Sequence, residues 1–155
     1  MKTFLFISLL VLALGCVEAT LVDDKDVREL VAESDHILIA AVIKVDLIDA
    51  SGKELAGFEA ETGPGIPNTL RLHLRPIDNG VLKTGKQPIP KAIIVELWRE
   101  WHYSLSQWKH LEGREMIFLL KGDKYTWVYP KDFILPISAR GEIERLIREP
   151  LSKPK

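Results

Sequence analysis

Leu70, Leu72 and Leu74 alternate with Arg71, His73 and Arg75. Strict alternation of this kind belongs to a β-strand with one face in a core and the other in water, because successive side chains on a strand point to opposite sides. Residues 36–48, HILIAAVIKVDLI, begin apolar on both faces and end in alternation, with Ile43, Val45 and Leu47 on one side and Lys44 and Asp46 on the other. That predicts a strand buried at one end and half exposed at the other, as strongly curved barrel strands are. Further strands are predicted from Ala92 to Trp98, over REMIFLL from Arg114 and over YTWVY from Tyr125. The last two form a β-hairpin joined through Gly122-Asp123, with Tyr125, Trp127 and Tyr129 on one face.

Turn formers separate these runs. Asp78-Asn79-Gly80 and Thr84-Gly85 frame VLKTG, and prolines 88 and 90 precede the third strand. The glycines and prolines of residues 50–68 predict a loop or hairpin, with a short strand around Leu55 to Ala60. Val27, Leu30 and Val31 behind candidate capping aspartates predict a short helix to about Glu33. A second helix is expected where Ile143, Leu146 and Ile147 share a face, started by Ser138 and stopped by Pro150. Short strands without strand–helix alternation predict a mainly β fold, a small antiparallel barrel with a helix on its N-terminal side and another at the C-terminus.

The N-terminus has the anatomy of an export signal: a basic start at Lys2, an apolar run from Phe4 to Leu14 broken only by Ser8, then small residues. The run is too short to span a bilayer, which takes roughly 20 apolar residues. Two cleavage sites compete. Leu12-Ala13-Leu14-Gly15-Cys16 resembles the lipobox of bacterial lipoproteins, in which the acylated cysteine becomes the first mature residue. Alternatively, Val17-Glu18-Ala19 allows a cut before Thr20. The favoured division is a signal peptide over 1–15 (alternatively 1–19) and a single domain over 16–155, with lipid attached at Cys16. The expected location is the bacterial envelope, membrane-anchored in the first case and soluble periplasmic or secreted in the second.

With 21 basic and 22 acidic residues in a chain of 155, no global field draws the protein onto nucleic acid, which is therefore not an expected partner. The single cysteine makes no internal disulfide, so the domain stands on its core.

Taken in order, ESDHILIAAVIKVD, the alternating strand running into VLKTG, then AIIVEL, LEGREMIFLL and YTWVYPKDFILPIS resemble the netrin-like OB-barrel module of tissue inhibitors of metalloproteinases and their bacterial relatives. The resemblance covers residues 34 to about 138, and its positions are barrel-building ones. Lys83-Thr84-Gly85 carries an insertion relative to the simple Lys-Gly turn of that group. The resemblance implies a metalloprotease-inhibitor-like activity, in which the free amine and carbonyl of an N-terminal cysteine chelate the protease zinc. This chain lacks the disulfides of such inhibitors, and either fate of Cys16, acylation or removal, takes away the chelating group.

The most unusual stretch is WREWHYSLSQWKHLEG, residues 98–113, with three of the four tryptophans and two of the four histidines. Trp98, Trp101, Leu105, Trp108 and Leu111 fall at spacings of three and four, which predicts a short amphipathic helix or ordered loop across one barrel end, closed by Gly113. Its aromatic stripe is either core or an exposed platform, and Trp98, Trp101, His102, Trp108 and His110 are the candidate binding surface. Glu96, Glu100, His102 and His110 match no established zinc spacing. A metal-dependent envelope hydrolase built on His102 and His110 is accordingly a secondary reading. Arg71, His73 and Arg75 form either an anion-binding stripe or a solvated strand face, while His36 reads as structural. No nucleophile elbow or catalytic triad pattern is present, and no motif implies a cofactor. The leading expectation is a non-enzymatic, envelope-anchored binding domain whose partner is a protein or another envelope component.

Overall fold

The computed structural model describes residues 24–57, 60–85 and 88–149. The expected export signal, Cys16 and Thr20 lie outside the described residues, as does Pro150. Among the described residues the chain runs through α1 (Val27–Glu33), β1 (His36–Ile48), β2 (Thr69–Thr84), β3 (Ile93–Glu96), α2 (Leu105–Lys109), β4 (Glu115–Lys121), β5 (Thr126–Trp127) and β6 (Ile134–Pro136). It ends in a single 3-10 turn (Ile137–Ala139) and α3 (Arg140–Arg148). All strand pairings are antiparallel, in the order β3-β2-β1-β4-β5. β6 shares the outer edge of β4 with β5.

β1 organises the sheet. Its first seven residues are all buried, and they pair with β2 on one side and β4 on the other. Three register shifts along the β1–β2 ladder, one of them between Val42 and Lys44, bend the strand, because each extra residue adds local twist. The shift at Ile43 also reverses the side-chain parity. Sequence alternation places Ile43 beside Val45 and Leu47, but the bulge turns it outward, half exposed, while both partners remain buried. The turn expected at Asp78-Asn79-Gly80 does not end β2. It appears inside the strand as an irregularity, with Asn79 in the left-handed region (φ 59°).

The sheet curls until β3 lies beside β5, giving a mainly antiparallel half-barrel. Among the described residues no ladder closes this seam. Leu97 N–H donates to Leu70 O, so alternation along the β2–β3 register turns the backbone groups of Ile94 and Glu96 away from β2. The Trp127 indole Nε1–H crosses the gap to donate to Glu96 O at 3.1 Å.

The core contains Leu38, Val42, Val45, Leu47, Leu70, Leu72, Leu74, Ile117, Phe118 and Leu120, with Leu30, Ile143 and Leu146 from the helices. Helix α1 starts as expected, with the Asp26 carboxylate accepting from Arg28 N–H, and packs against α3 and β4. Lys83 Nζ donates to Val31 O and Ala32 O near the end of α1, where unpaired carbonyls favour a cation. Ser138 does not cap α3. The 3-10 turn intervenes, and Ala139 holds the cap position without a side-chain bond. The short strand expected at 55–60 is absent from the described part of that range. Instead Glu54 makes an isolated bridge with Ile48.

Gly80 is enclosed by its own strand and by β1: an added Cβ would lie 2.7 Å from Ile39 O and 2.6 Å from Ile77 Cγ1. Gly80→Ala is therefore expected to destabilise the fold by about 1–3 kcal/mol, the usual cost of overpacking, read as a lowered urea midpoint with an unchanged slope.

Candidate functional site

The tryptophan-rich segment is not one helix. Residues 101–105 run antiparallel to residues 60–62, with Thr62 N–H donating to Tyr103 O (2.9 Å) and Leu105 N–H donating to Ala60 O (3.0 Å). Thr62 is fully buried; its hydroxyl donates to Trp101 O at 2.6 Å and accepts from Tyr103 N–H at 3.1 Å. Gly63 continues this contact. The His102 ring occupies the place of a Gly63 Cβ, which would sit 2.6 Å from it. Only Leu105–Lys109 is helical, and the turn after it ends at Gly113 in the left-handed region (φ 78°).

Two side chains from this segment complete the sheet. Beyond the β4 pairing, the Val45 backbone N–H donates to Glu112 Oε1 (2.7 Å), and Val45 O accepts from Lys109 Nζ (3.0 Å). Glu112 and Lys109 are themselves paired at 2.8 Å. Burial alone would raise the Glu112 carboxyl, but its bonds to Lys109 and Val45 hold it below the ordinary range. The segment is thus fixed to β1 through backbone groups that would otherwise go unpaired.

What this arrangement leaves at the surface is an aromatic cleft of about 260 Å³, walled by Trp101, Tyr103, Trp108, Pro130, Phe133 and Ile134, with Lys131 and Asp132 at its rim. Tyr103 meets Trp108 edge to face at 5.3 Å, a favoured aromatic geometry. Trp101 is 42% exposed and stands 6.0 Å from Trp98. Trp98 lines a neighbouring shallow hollow with Arg99, Glu100, Thr126 and Trp127. Asp132 adopts φ 64°, a left-handed conformation that turns the chain sharply before Phe133 enters the core.

Of the five predicted surface residues, the structure brings Trp101 and Trp108 into the cleft and places Trp98 beside it. His102 lies over Gly63, and His110 is the exposed C-cap of α2. Among the described residues no three His, Cys, Asp or Glu side chains come together as a metal site. Tyr103, Pro130 and Phe133 were not legible as cleft residues, because the turn that carries the last two approaches α2 only in the folded chain. Leu105 and Leu111 are core residues, so the stripe divides between core and surface.

The stripe Arg71, His73, Arg75 meets a different fate. Asp46, expected on the polar face, is 2% exposed. It accepts two parallel bonds from Arg71, each 2.8 Å, and lies 3.0 Å from His73 Nε2 and 3.2 Å from Lys44 Nζ. Lys44 also reaches Glu54 at 2.6 Å, in the stretch that returns across the end of β1. The anion that Arg71 and His73 face is therefore the chain's own carboxylate, and only Arg75 remains exposed. His36 is buried, with Nδ1 2.8 Å from Thr84 Oγ1 and its ring 4.5 Å from Tyr125. That fits the structural role expected of it.

No protein-family model matches the chain, and no curated protein matches it in sequence.

Two measurements test these contacts. Burial opposes ionisation of Asp46, but the bonds from Arg71, Lys44 and His73 outweigh it and bring its pKa down from 3.8 to about 2. The unfolded chain takes up this proton first, so the stabilisation is complete above the ordinary carboxylate range and is lost as pH falls toward 2. It amounts to about 2 kcal/mol. Asp46→Asn is expected to be less stable at neutral pH and to lack that part of the acid loss, as measured by urea unfolding at stepped pH. Thr62→Val, which takes the hydroxyl partner from Tyr103 N–H and Trp101 O at a buried position, should cost about 1–3 kcal/mol. It should also move the Trp101 emission, whereas Thr62→Ser should retain both values.

Proposed function

We propose that the chain is a non-enzymatic binding module of a bacterial envelope, held at the membrane through an acylated Cys16, with the aromatic cleft as its contact surface. The observation that carries the reading is the cleft itself: Trp101 remains 42% exposed although the segment around it is bonded tightly into the fold. An aromatic residue kept in water by a rigid support is a feature of binding hot spots, where Trp and Tyr dominate. The curled antiparallel sheet and the order of the barrel segments support an OB-like, netrin-like architecture, a fold that binds ligands through one face and its loops. The short basic start and apolar run before Cys16 support export. Among the described residues no helix is long and apolar enough to cross a membrane, and the reading assigns the anchor to the acyl chains.

The test pairs two variants in cells. Wild-type chain is expected in the membrane fraction and Cys16→Ala outside it, while Trp101→Ala should remain at the membrane with an unchanged melting temperature. A photoreactive group at position 101 should give a discrete adduct in the envelope fraction, and the same group at the exposed position 137 should give none. Equal partition of wild type and Cys16→Ala, or equal labelling from both positions, contradicts the reading.

A further inference from the structure

We infer that the aromatic cleft docks on lipid: Trp101, with Trp98 beside it, sits at the headgroup level of the same bilayer that holds the acyl chains of Cys16. The inference rests on the anchored reading of Cys16 and names the partner of the cleft.

The first observation is where the described chain begins. The Asp24 carboxylate pairs with Lys131 Nζ, and Lys131 is on the rim of the cleft. The Lys25 ammonium lies 5.1 Å from the centre of the Tyr129 ring, two residues before Lys131. These two adjacent contacts place Asp24 and Lys25 beside the cleft.

The second is the length of the tether. Eight peptide steps separate Cys16 from Asp24, and at full extension they reach about 28 Å. A domain of this size is roughly 35 Å across. Such a tether is too short to let the opposite face of the domain meet the bilayer, so the cleft lies on the side that can reach it. The tether also makes docking an intramolecular event, so an aromatic contact too weak to hold a free domain suffices for an anchored one.

The third is the chemistry of the cleft. Tryptophan favours the membrane–water boundary because its ring is apolar and its indole N–H seeks a polar partner. Trp101 is the exposed tryptophan, with Trp98 6.0 Å away and the apolar walls of Pro130 and Phe133 in the same cleft. The surrounding charges are balanced, Lys131 next to Asp132 and Arg99 next to Glu100. Docking therefore depends on the aromatic rings and not on attraction to anionic headgroups.

The experiment uses full-length chain recovered from membranes and reconstituted with phosphatidylcholine vesicles, either plain or carrying brominated acyl chains that quench nearby tryptophans. Wild-type chain should float with both and lose emission in the brominated vesicles, with the loss unchanged by added salt. Trp101→Phe should float equally and melt at the same temperature, but lose at least half of that quenching. A chain that floats yet emits equally in both vesicles, or a Trp101→Phe variant quenched as fully as wild type, overturns the docking and leaves the anchor standing; the cleft is then open to a protein partner. A chain that does not float, with Cys16 unmodified or removed, overturns the anchor and the docking with it.

Discussion

The structure depends on the double pairing of β1. A strand bonded on both sides and buried on both faces has no freedom of register, because a slip of one residue would carry a whole set of apolar side chains to the wrong side. Leu38 and Ala40 therefore fix the positions of β2 and β4 together. The three irregularities in the β1–β2 ladder supply the curvature that brings β3 round to β5. Once the sheet is bent in this way, the far half of β1 runs beyond the reach of β4. Its backbone needs other partners, and Lys109 and Glu112 provide them.

That requirement explains why a tryptophan-rich segment is part of this fold. The segment is held by polar contacts at three places: the Thr62 hydroxyl, the backbone pairing with residues 60–62, and the side-chain bonds to Val45. Buried hydrogen bonds are directional, so they set the position of the backbone independently of how well the aromatic rings pack. With the backbone fixed, Leu105 and Leu111 fill the core while Trp101 is kept outside it.

Much of the fold was legible in the sequence, and the parts that were not share a physical cause. The alternation of Leu70, Leu72 and Leu74 and the capping Asp26 reflect local periodicity and local hydrogen bonding, and both appear as expected. Ile43 and Asp46 exchange the environments their alternation implies, because one bulge and a returning loop decide them, and neither writes a pattern into the residues around it. The spacing of Trp98, Trp101, Leu105, Trp108 and Leu111 reads as helix, yet residues 101–105 pair with a segment some forty positions earlier. Long-range hydrogen bonding overrides the local period there. The same cause hides half of the cleft, since Phe133 and Pro130 reach Trp108 only through the pairing of β6 with β4.

The central claim is that the tryptophan-rich segment holds Trp101 at the surface while its Leu105 and Leu111 fill the core. Collisional quenching by acrylamide of variants that each keep a single tryptophan tests this directly. The account predicts that the chain retaining only Trp101 is quenched several-fold more steeply than the chains retaining only Trp108 or Trp127. Shielding of Trp101 equal to that of Trp108 would contradict it and place Trp101 in the core.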